Sequence, residues 1–202
     1  MATTVVSPTE ICNLALDAVK YPDAIGDLYE GTLAARVALR FDSQTRDELL
    51  SESDWPFARQ DAILQVLKTA PPGGYGIQAW TNAYPPLPWI YEYAFPANAL
   101  EMRSVRPTPI LLPEQDPHPN IFRVANDTAS GNKVVLTNLA NAIGIFTGQI
   151  TAISQWDTLF VNALVRRLAE KFAPALSQIA GEEKAEAAQA ALAMAEAEMH
   201  PG

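Results

Sequence analysis

The stretch RVALRFDSQTRDELLSESDWPFA, residues 36–58, is the part of the chain that says most about the fold. Apolar residues recur along it, and just before it, at the spacing that places one face of a long helix against a core; they are Leu33, Val37, Phe41 and Leu49. Pro56 cannot continue a helix and disfavours helical geometry at Trp55, so we expect the helix to end there. Large aromatic side chains contribute much of a core's buried area, and the sequence therefore predicts that Trp55 and Phe57 anchor the core.

Helical patterns flank this stretch on both sides. Ser7, Pro8 and Glu10 form a helix start with the residues of a capping box, and the helix is expected to run to about Lys20. Thr32 is placed to cap the long helix. A second helical pattern begins at residues 57–58 and carries Ile63, Leu64 and Leu67. Residues 1–70 are therefore predicted to be the N-terminal part of a helical bundle.

The composition changes sharply at residue 71. Residues 71–88 are rich in proline and glycine, which predicts a long loop. Three aromatic residues, Tyr75, Trp80 and Tyr84, lie within it. These side chains either contact a partner or fold back on their own domain, and the sequence leaves both interpretations open.

From Trp89 onward the apolar pattern has a period of two, which is typical of strands. Tyr91, Tyr93 and Phe95 alternate with their neighbours, and further strand-like segments follow at residues 100–105, 121–125, 133–137 and 143–153. Asparagine- and glycine-containing turns separate these segments. The sequence predicts a small, mostly antiparallel β domain at residues 89–153, inserted between helices, and thus an α+β fold.

The C-terminal part of the chain returns to a helical pattern. Ser154 begins it, and Phe160, Leu164 and Leu168 repeat every four residues within the predicted bundle helix, residues 154–180. The predicted structural core thus comprises Phe41, Leu49, Trp55, Phe57, Phe160, Leu164 and Leu168.

Residues 181–202 are alanine-rich, and we expect them to form a terminal helix after a break at Gly181. Its few large apolar side chains are Leu192, Met194 and Met199. Such a helix has little apolar surface with which to attach itself to a core. These three residues are candidate partner contacts, and the alternative is that the helix closes the chain's own bundle.

The overall composition limits the classes of function. The formal net charge is −9, with 23 acidic and 14 basic residues among 202, and an acidic surface repels nucleic-acid phosphates. Cys12 is the only cysteine, so no internal disulfide forms, and His118 and His200 are too far apart for the usual zinc motifs. The chain has neither a membrane-spanning apolar run nor a signal-peptide pattern, so we expect a soluble protein.

No motif of catalytic chemistry is present in the sequence. It contains no phosphate-binding loop, dinucleotide fingerprint or nucleophile elbow. The acidic pairs Glu182/Glu183 and Glu196/Glu198 have the pattern of a solvated helix face. We therefore predict no enzyme, no catalytic residues, no cofactor and no metal. Two alternatives stay open: a small acidic hydrolase whose carboxylates converge only in the folded protein, and a helical scaffold or interaction module.

Several short motifs occur together in a familiar order. They are Asn13-Leu14-Ala15-Leu16, Phe41 with Arg46 and Leu49, Trp55-Pro56-Phe57-Ala58, Tyr93-x-Phe95-Pro96 with Leu100, and Phe160-x-x-Ala163-Leu164-x-x-x-Leu168-Ala169. Together they resemble the head-to-tail adaptor (connector) family of short-tailed phages, of the tail tubular protein A or tail accessory factor type, over about residues 7–176. The chain departs from the family at Val19-Lys20, where a glycine is usual, and at Pro96-Ala97-Asn98, where an acidic residue is usual.

This resemblance implies a structural protein of the virion neck, made in the host cytoplasm. Members form an oligomeric ring, typically of twelve subunits, that docks beneath the portal protein and joins it to the downstream tail or nozzle protein. The implied fold is a helical bundle from both ends of the chain with a β domain between them. DNA would pass through the ring without specific binding, and no membrane would be involved.

Overall fold

The described part of the protein contains three helices and two antiparallel sheets. A computed structural model describes residues 7–75, 80–108 and 121–177. The predicted α+β class is confirmed at this level. The chain divides into two compact units, one formed by the residues up to Leu49 and those from Thr151 onward, and the other by Leu50–Ile150. The predicted alanine-rich helix, with Leu192, Met194 and Met199, lies outside the described residues.

The helices of the first unit start largely where local sequence signals place them. Helix α1 covers Pro8–Ala18, and the Ser7 hydroxyl and Glu10 carboxylate form the predicted capping box with each other's backbone N–H groups. Helix α2 covers Leu33–Glu52, and the Thr32 hydroxyl accepts a hydrogen bond from the Ala35 N–H at 3.2 Å. Both helices therefore begin at the predicted caps, whose hydrogen bonds need no distant partner.

Helix α3 covers residues 158–177 and begins later than the predicted start at Ser154. Ile153–Gln155 form only a 3-10 turn, because Trp156 adopts an extended backbone conformation that interrupts the helix. The Val161 N–H then donates to the Asp157 carbonyl at 3.1 Å, in the first helical turn.

The core of the first unit is built from all three helices. Its buried side chains include Ile11, Leu16, Val37, Leu49, Phe160, Leu164, Leu168 and Phe172. Phe41 of α2 lies 6.5 Å from Phe172 of α3, centroid to centroid, and the Lys171 ammonium bonds to the Glu48 carboxylate at 2.5 Å. Helices α2 and α3 therefore pack directly against each other.

The second unit contains two antiparallel sheets. The first has the strand order β1–β7–β4, and the second β2–β3–β6–β5. The strands are β1 Arg59–Ile63, β2 Val66–Thr69, β3 Tyr91–Ala94, β4 Ala99–Arg106, β5 Phe122–Asn126, β6 Lys133–Thr137 and β7 Ile143–Gly148. A buried cluster joins residues of both sheets: Leu64, Tyr93, Met102, Val105, Val135, Ala142 and Phe146.

The helical pattern predicted from Phe57 through Leu67 is wrong. Pro56–Ala58 form a single 3-10 turn, and strands β1 and β2 follow. Strand β1 pairs along its whole length with β7, which is distant in sequence, and this pairing overrides the local four-residue spacing. The second unit consequently begins near the end of α2 rather than at residue 89.

The predicted aromatic anchors at this corner are less buried than expected. Trp55 and Phe57 are only partly buried, and their ring centroids lie 6.2 Å apart. Helix α2 does end just before Trp55, as the proline predicted, but the fully buried residue of the corner is Ala58. Of the other predicted core residues, Phe41 is partly buried, whereas Leu49, Phe160, Leu164 and Leu168 are buried.

Arg103 of β4 holds the C-terminal end of α2. Its Nη2 donates to the carbonyl oxygens of Ser51 and Ser53 at 2.7 and 2.8 Å, and its Nε donates to the Thr147 hydroxyl at 2.8 Å. The last carbonyls of a helix lack partners within the helix. Arg103 supplies a charged donor to two such carbonyls, those of Leu50 and Ser51, and joins them to β7; Ser53 lies just beyond the helix.

Candidate functional site

Three charged side chains meet on one face of the second sheet. Lys68 on β2 lies between Glu92 on β3 and Asp127, which follows β5. Its ammonium is 3.0 Å from Glu92 Oε1 and contacts Asp127 Oδ1 directly. Glu92 is 1 % exposed, so its carboxylate depends on this contact for charge compensation.

The sheet brings these residues together through register and one irregularity. Lys68 and Glu92 are direct partners in the β2–β3 ladder, and a bulge lies between Val66 and Lys68. Bulges re-aim side chains, which explains how this short strand directs a lysine toward the buried face. Asp127 starts the turn from β5 to β6, where its second carboxylate oxygen accepts bonds from the Ser130 N–H and hydroxyl at 3.0 and 2.8 Å.

The electrostatics keep the lysine protonated. Burial lowers the pKa of Lys68, but the hydrogen bonds to Asp127 and Glu92 together outweigh it, and the net pKa is raised. Lys68, and secondarily Ser130, lower the pKa of Asp127. A catalytic lysine needs a lowered pKa to act as a nucleophile or base. The cluster is therefore suited to joining strands and not to covalent catalysis by its lysine.

A small cavity of about 20 Å³ adjoins this cluster. Its walls include Lys68, Glu92 and Asp127 together with Trp80 and Tyr84 from the proline-rich segment. A cavity of this size has room for about one water molecule. The space is too small for an organic substrate. Because Trp80 and Tyr84 line it together with the charged side chains, the proline-rich segment lies against the cluster.

Two of the three aromatic residues predicted as partner contacts in residues 71–88, Tyr75 and Trp80, form hydrogen bonds within that segment. The Tyr75 hydroxyl donates to the carbonyl of Pro85 at 2.5 Å, and its ring meets the Tyr84 ring edge-on at 6.4 Å. The Trp80 Nε1–H donates to the same Pro85 carbonyl at 2.9 Å, although Trp80 is 42 % exposed. These bonds hold the segment to itself. The cavity that Trp80 and Tyr84 line together with Lys68 and Glu92 favours the interpretation that the segment folds back on its own domain.

Other reactive groups give little support to a hydrolase. Cys12 is fully buried, and burial, with a smaller effect of Asp42, raises the pKa of its thiol to about 12. The pKa of Asp42 is itself raised, chiefly by burial. Asp42 is partly buried on α2, whereas glycosidase chemistry needs two carboxylates that face each other across a cleft that admits a sugar. Within residues 7–75, 80–108 and 121–177, no three His, Cys, Asp or Glu side chains are grouped to hold a metal ion.

Sequence reasoning missed the charged cluster because its members are distant in sequence. Glu92 lies between two tyrosines in a strand pattern, and a charged residue at such a position is a weak signal of a buried pair. Nothing in the sequence indicates that β2 and the β5–β6 turn supply its partners. Only the strand order of the sheet identifies Lys68 and Asp127.

Each unit also has an open groove on its surface. In the first unit, a groove of about 440 Å³ is lined by residues that include Leu49, Leu159, Ala163, Arg166 and Glu170. In the second, a groove of about 390 Å³ is lined mainly by apolar residues. These grooves, unlike the cavity beside Lys68, are large enough for a side chain of another molecule.

No protein-family model matches this chain, and no curated protein matches it either. Among the described helices, none is long and apolar enough to cross a bilayer.

Proposed function

We propose that the protein is a structural subunit of a phage head-to-tail adaptor, which forms a ring between the portal protein and the tail. It acts by shape and contact and not by catalysis. Its partners are further copies of itself, the portal above and the nozzle or tail protein below. Its place is the neck of the virion, after synthesis in the host cytoplasm.

The observation that carries this proposal is the exposure of large apolar side chains on both units. Tyr29, Ile63, Leu159 and Ile121 are 79, 78, 75 and 73 % exposed. Single exposed apolar residues are ordinary, but several highly exposed ones on one chain are typical of surfaces that are covered in an assembly. Leu159 also lines the groove of the first unit. A ring subunit needs such contacts with its neighbours on either side.

The finer architecture proposed here is a helical bundle from both ends of the chain around an inserted β domain. The contacts between α2 and α3 support the helical part, because these helices come from opposite ends of the chain. The position of Leu50–Ile150 between the two segments of the other unit supports the insertion. Leu192, Met194 and Met199 are proposed contacts to the portal or to an adjacent subunit.

The acidic composition fits a channel through which DNA passes without being held. A net charge of −9 for each subunit is multiplied around a ring. We expect the lumen to be acidic and DNA binding to be undetectable at moderate salt. Tight DNA binding that weakens as salt is added would contradict this part of the proposal.

Imaging of the protein with the portal tests the proposal. The purified chain, mixed with the portal protein of the same phage, should give a stacked double ring in single-particle images. A variant lacking residues 182–202 should keep its melting temperature but lose the docking if those residues contact the portal. A chain that never joins the portal, and whose particles stay single subunits, would overturn the assignment.

A further inference from the structure

The loop between α1 and α2 is closed by hydrogen bonds made by its own side chains. Both carboxylate oxygens of Glu30 are used: Oε2 accepts from the Gly26 and Asp27 N–H groups at 2.7 and 3.1 Å, and Oε1 accepts from the Thr32 hydroxyl at 2.8 Å. The same contacts, with the Thr32 bond largest, lower the pKa of Glu30. One acidic side chain therefore closes the turn.

Further bonds fix the loop at its tip and at its base. The Tyr29 N–H donates to Asp27 Oδ1 at 2.7 Å. At the base, the Asn13 side-chain amide both donates to the Ile25 carbonyl and accepts from the Ile25 N–H, each at 2.9 Å. A side chain at Gly26 would lie 3.1 Å from Glu30 Oε2, so glycine allows the carboxylate its close approach.

This rigid loop holds a large aromatic residue in solvent. Tyr29 is 79 % exposed, whereas Ile25 at the loop's base is 4 % exposed. A tyrosine whose backbone is fixed before binding loses little backbone freedom on association, and tyrosine is enriched among the residues that dominate binding energy. Tyr29 is therefore exposed in the way expected of a residue that inserts into a pocket of a binding partner.

We propose that Tyr29 of one copy inserts into the apolar groove on the second unit of an adjacent copy. This inference rests on the proposed ring and names the contact that would build it. The groove of about 390 Å³ is lined by Leu67, Ala94, Phe95, Pro96, Ala97 and Lys133, among others. Its apolar walls suit a phenol ring, and its open side lets the phenolic hydroxyl remain in contact with water.

Charge complementarity identifies the occupant as a second copy. The Tyr29 loop carries Asp23, Asp27 and Glu30 against one cation, Lys20, so its net charge is negative. The groove presents the exposed Lys133 side chain, whose ammonium lies 4.6 Å from the centroid of the Phe95 ring. An acidic loop and a cationic groove rim attract each other, and the same chain carries both.

Such a contact joins two different patches, one from each copy. Interfaces of this head-to-tail kind generate rings when the rotation between copies closes. A self-complementary contact would stop at a dimer. The Tyr29–groove contact is therefore the kind of interface that a ring requires.

Sedimentation of point variants tests the inference. Tyr29→Ala should weaken subunit association more than about tenfold, whereas Tyr29→Phe, which keeps the ring, should remain close to wild type. Lys133→Glu should also weaken association. The matched charge change Arg123→Glu, at an exposed position of β5, should not. Leu87→Ser removes another exposed apolar side chain, 59 % exposed and outside both surfaces, and should leave association unchanged. An equal loss from Leu87→Ser, or none from Tyr29→Ala, would overturn the inference.

Photo-cross-linking separates this inference from the proposed function. With p-benzoylphenylalanine in place of Tyr29, irradiation of the assembled protein should link position 29 to the peptide containing residues 94–99 of another copy. A ring that forms but cross-links elsewhere would overturn the inference and leave the proposed function intact. A wild-type chain that forms no ring would overturn both.

Discussion

Two loops of this protein carry aromatic side chains, and they use them in opposite ways. In the proline-rich segment, the Tyr75 hydroxyl and the Trp80 N–H both bond to the Pro85 carbonyl, so these side chains fold back onto their own backbone. In the loop before α2, acidic side chains bond to the backbone instead, and Tyr29 is left 79 % exposed. The polar tips of Tyr75 and Trp80 are thus bonded within their own loop, whereas the Tyr29 side chain extends into solvent.

The difference shows what decides whether an aromatic residue is available to a partner. A tyrosine or tryptophan whose polar tip finds an acceptor nearby becomes part of its own domain. Where carboxylates and N–H groups of the loop satisfy one another, the aromatic ring is left outside. The predictions below test this contrast, from the largest expected effect to the smallest.

Lys68→Met should give the largest loss of stability, because it disrupts the charged cluster against which the proline-rich segment lies. The change leaves the buried Glu92 carboxylate without its cation, and we expect a loss of about 3–5 kcal/mol in unfolding free energy. Urea denaturation measures it. The double variant Lys68→Met with Glu92→Leu should recover much of the loss, and an unchanged midpoint for the single variant would show that the cluster contributes little.

Asp127→Asn should cost less at neutral pH, about 1–3 kcal/mol, and should alter the acid limb of the stability profile. Because the folded-state pKa of Asp127 lies below its ordinary value of 3.8, its contribution is fully present above pH 3.8 and disappears as the pH falls through the folded pKa. Denaturation between pH 7 and pH 2.5 should therefore show a shallower decline below pH 4 for the variant. Parallel curves would contradict the ion pair.

Tyr75→Phe should cost about 1 kcal/mol, the contribution of a partly buried hydrogen bond. The change removes the hydroxyl that donates to Pro85 and keeps the ring that meets Tyr84. Thermal unfolding compares it with Tyr84→Phe, which keeps the same ring contact. If Tyr75→Phe has no effect, the segment is not held by this bond.

Tyr29→Ala should have the smallest effect on the folded subunit, within about 0.5 kcal/mol of wild type, because its side chain is almost entirely in solvent. The same variant should have a large effect on subunit association. Gly26→Ala is the variant to compare with it, because an added methyl group crowds the Glu30 carboxylate that closes the loop. A large loss of stability in Tyr29→Ala would show that the ring belongs to the subunit's own core.

Much of the fold follows from local signals in the sequence. The caps at Ser7 and Thr32 and the end of α2 before Pro56 depend on neighbouring residues alone. The strands from Tyr91 to Gly148 lie close to the segments predicted as strands, although burial does not alternate along β3 or β7. Strand β1 does not follow from local signals, because Ile63 and Leu67 have helical spacing and only pairing with β7 makes this segment extended.

The candidate surfaces were harder to predict, for a physical reason. In the sequence, only the nearby Asp27 and Glu30 set Tyr29 apart. The structure is needed to show that these carboxylates accept hydrogen bonds from the N–H groups of their own loop. The Lys68–Glu92–Asp127 cluster depends on strand order. Trp55, in contrast, has a strong local signal for burial but is only partly buried, and the fully buried residue of this corner is the smaller Ala58.

The mass of the native particle tests the central claim most directly. Native mass spectrometry of the purified full-length chain, alone and with the portal protein, reports the number of copies that associate. We expect a closed ring, of twelve copies by the family resemblance, either from the chain alone or on addition of the portal. A mass of 21.9 kDa under both conditions, that of a single subunit, would contradict the claim.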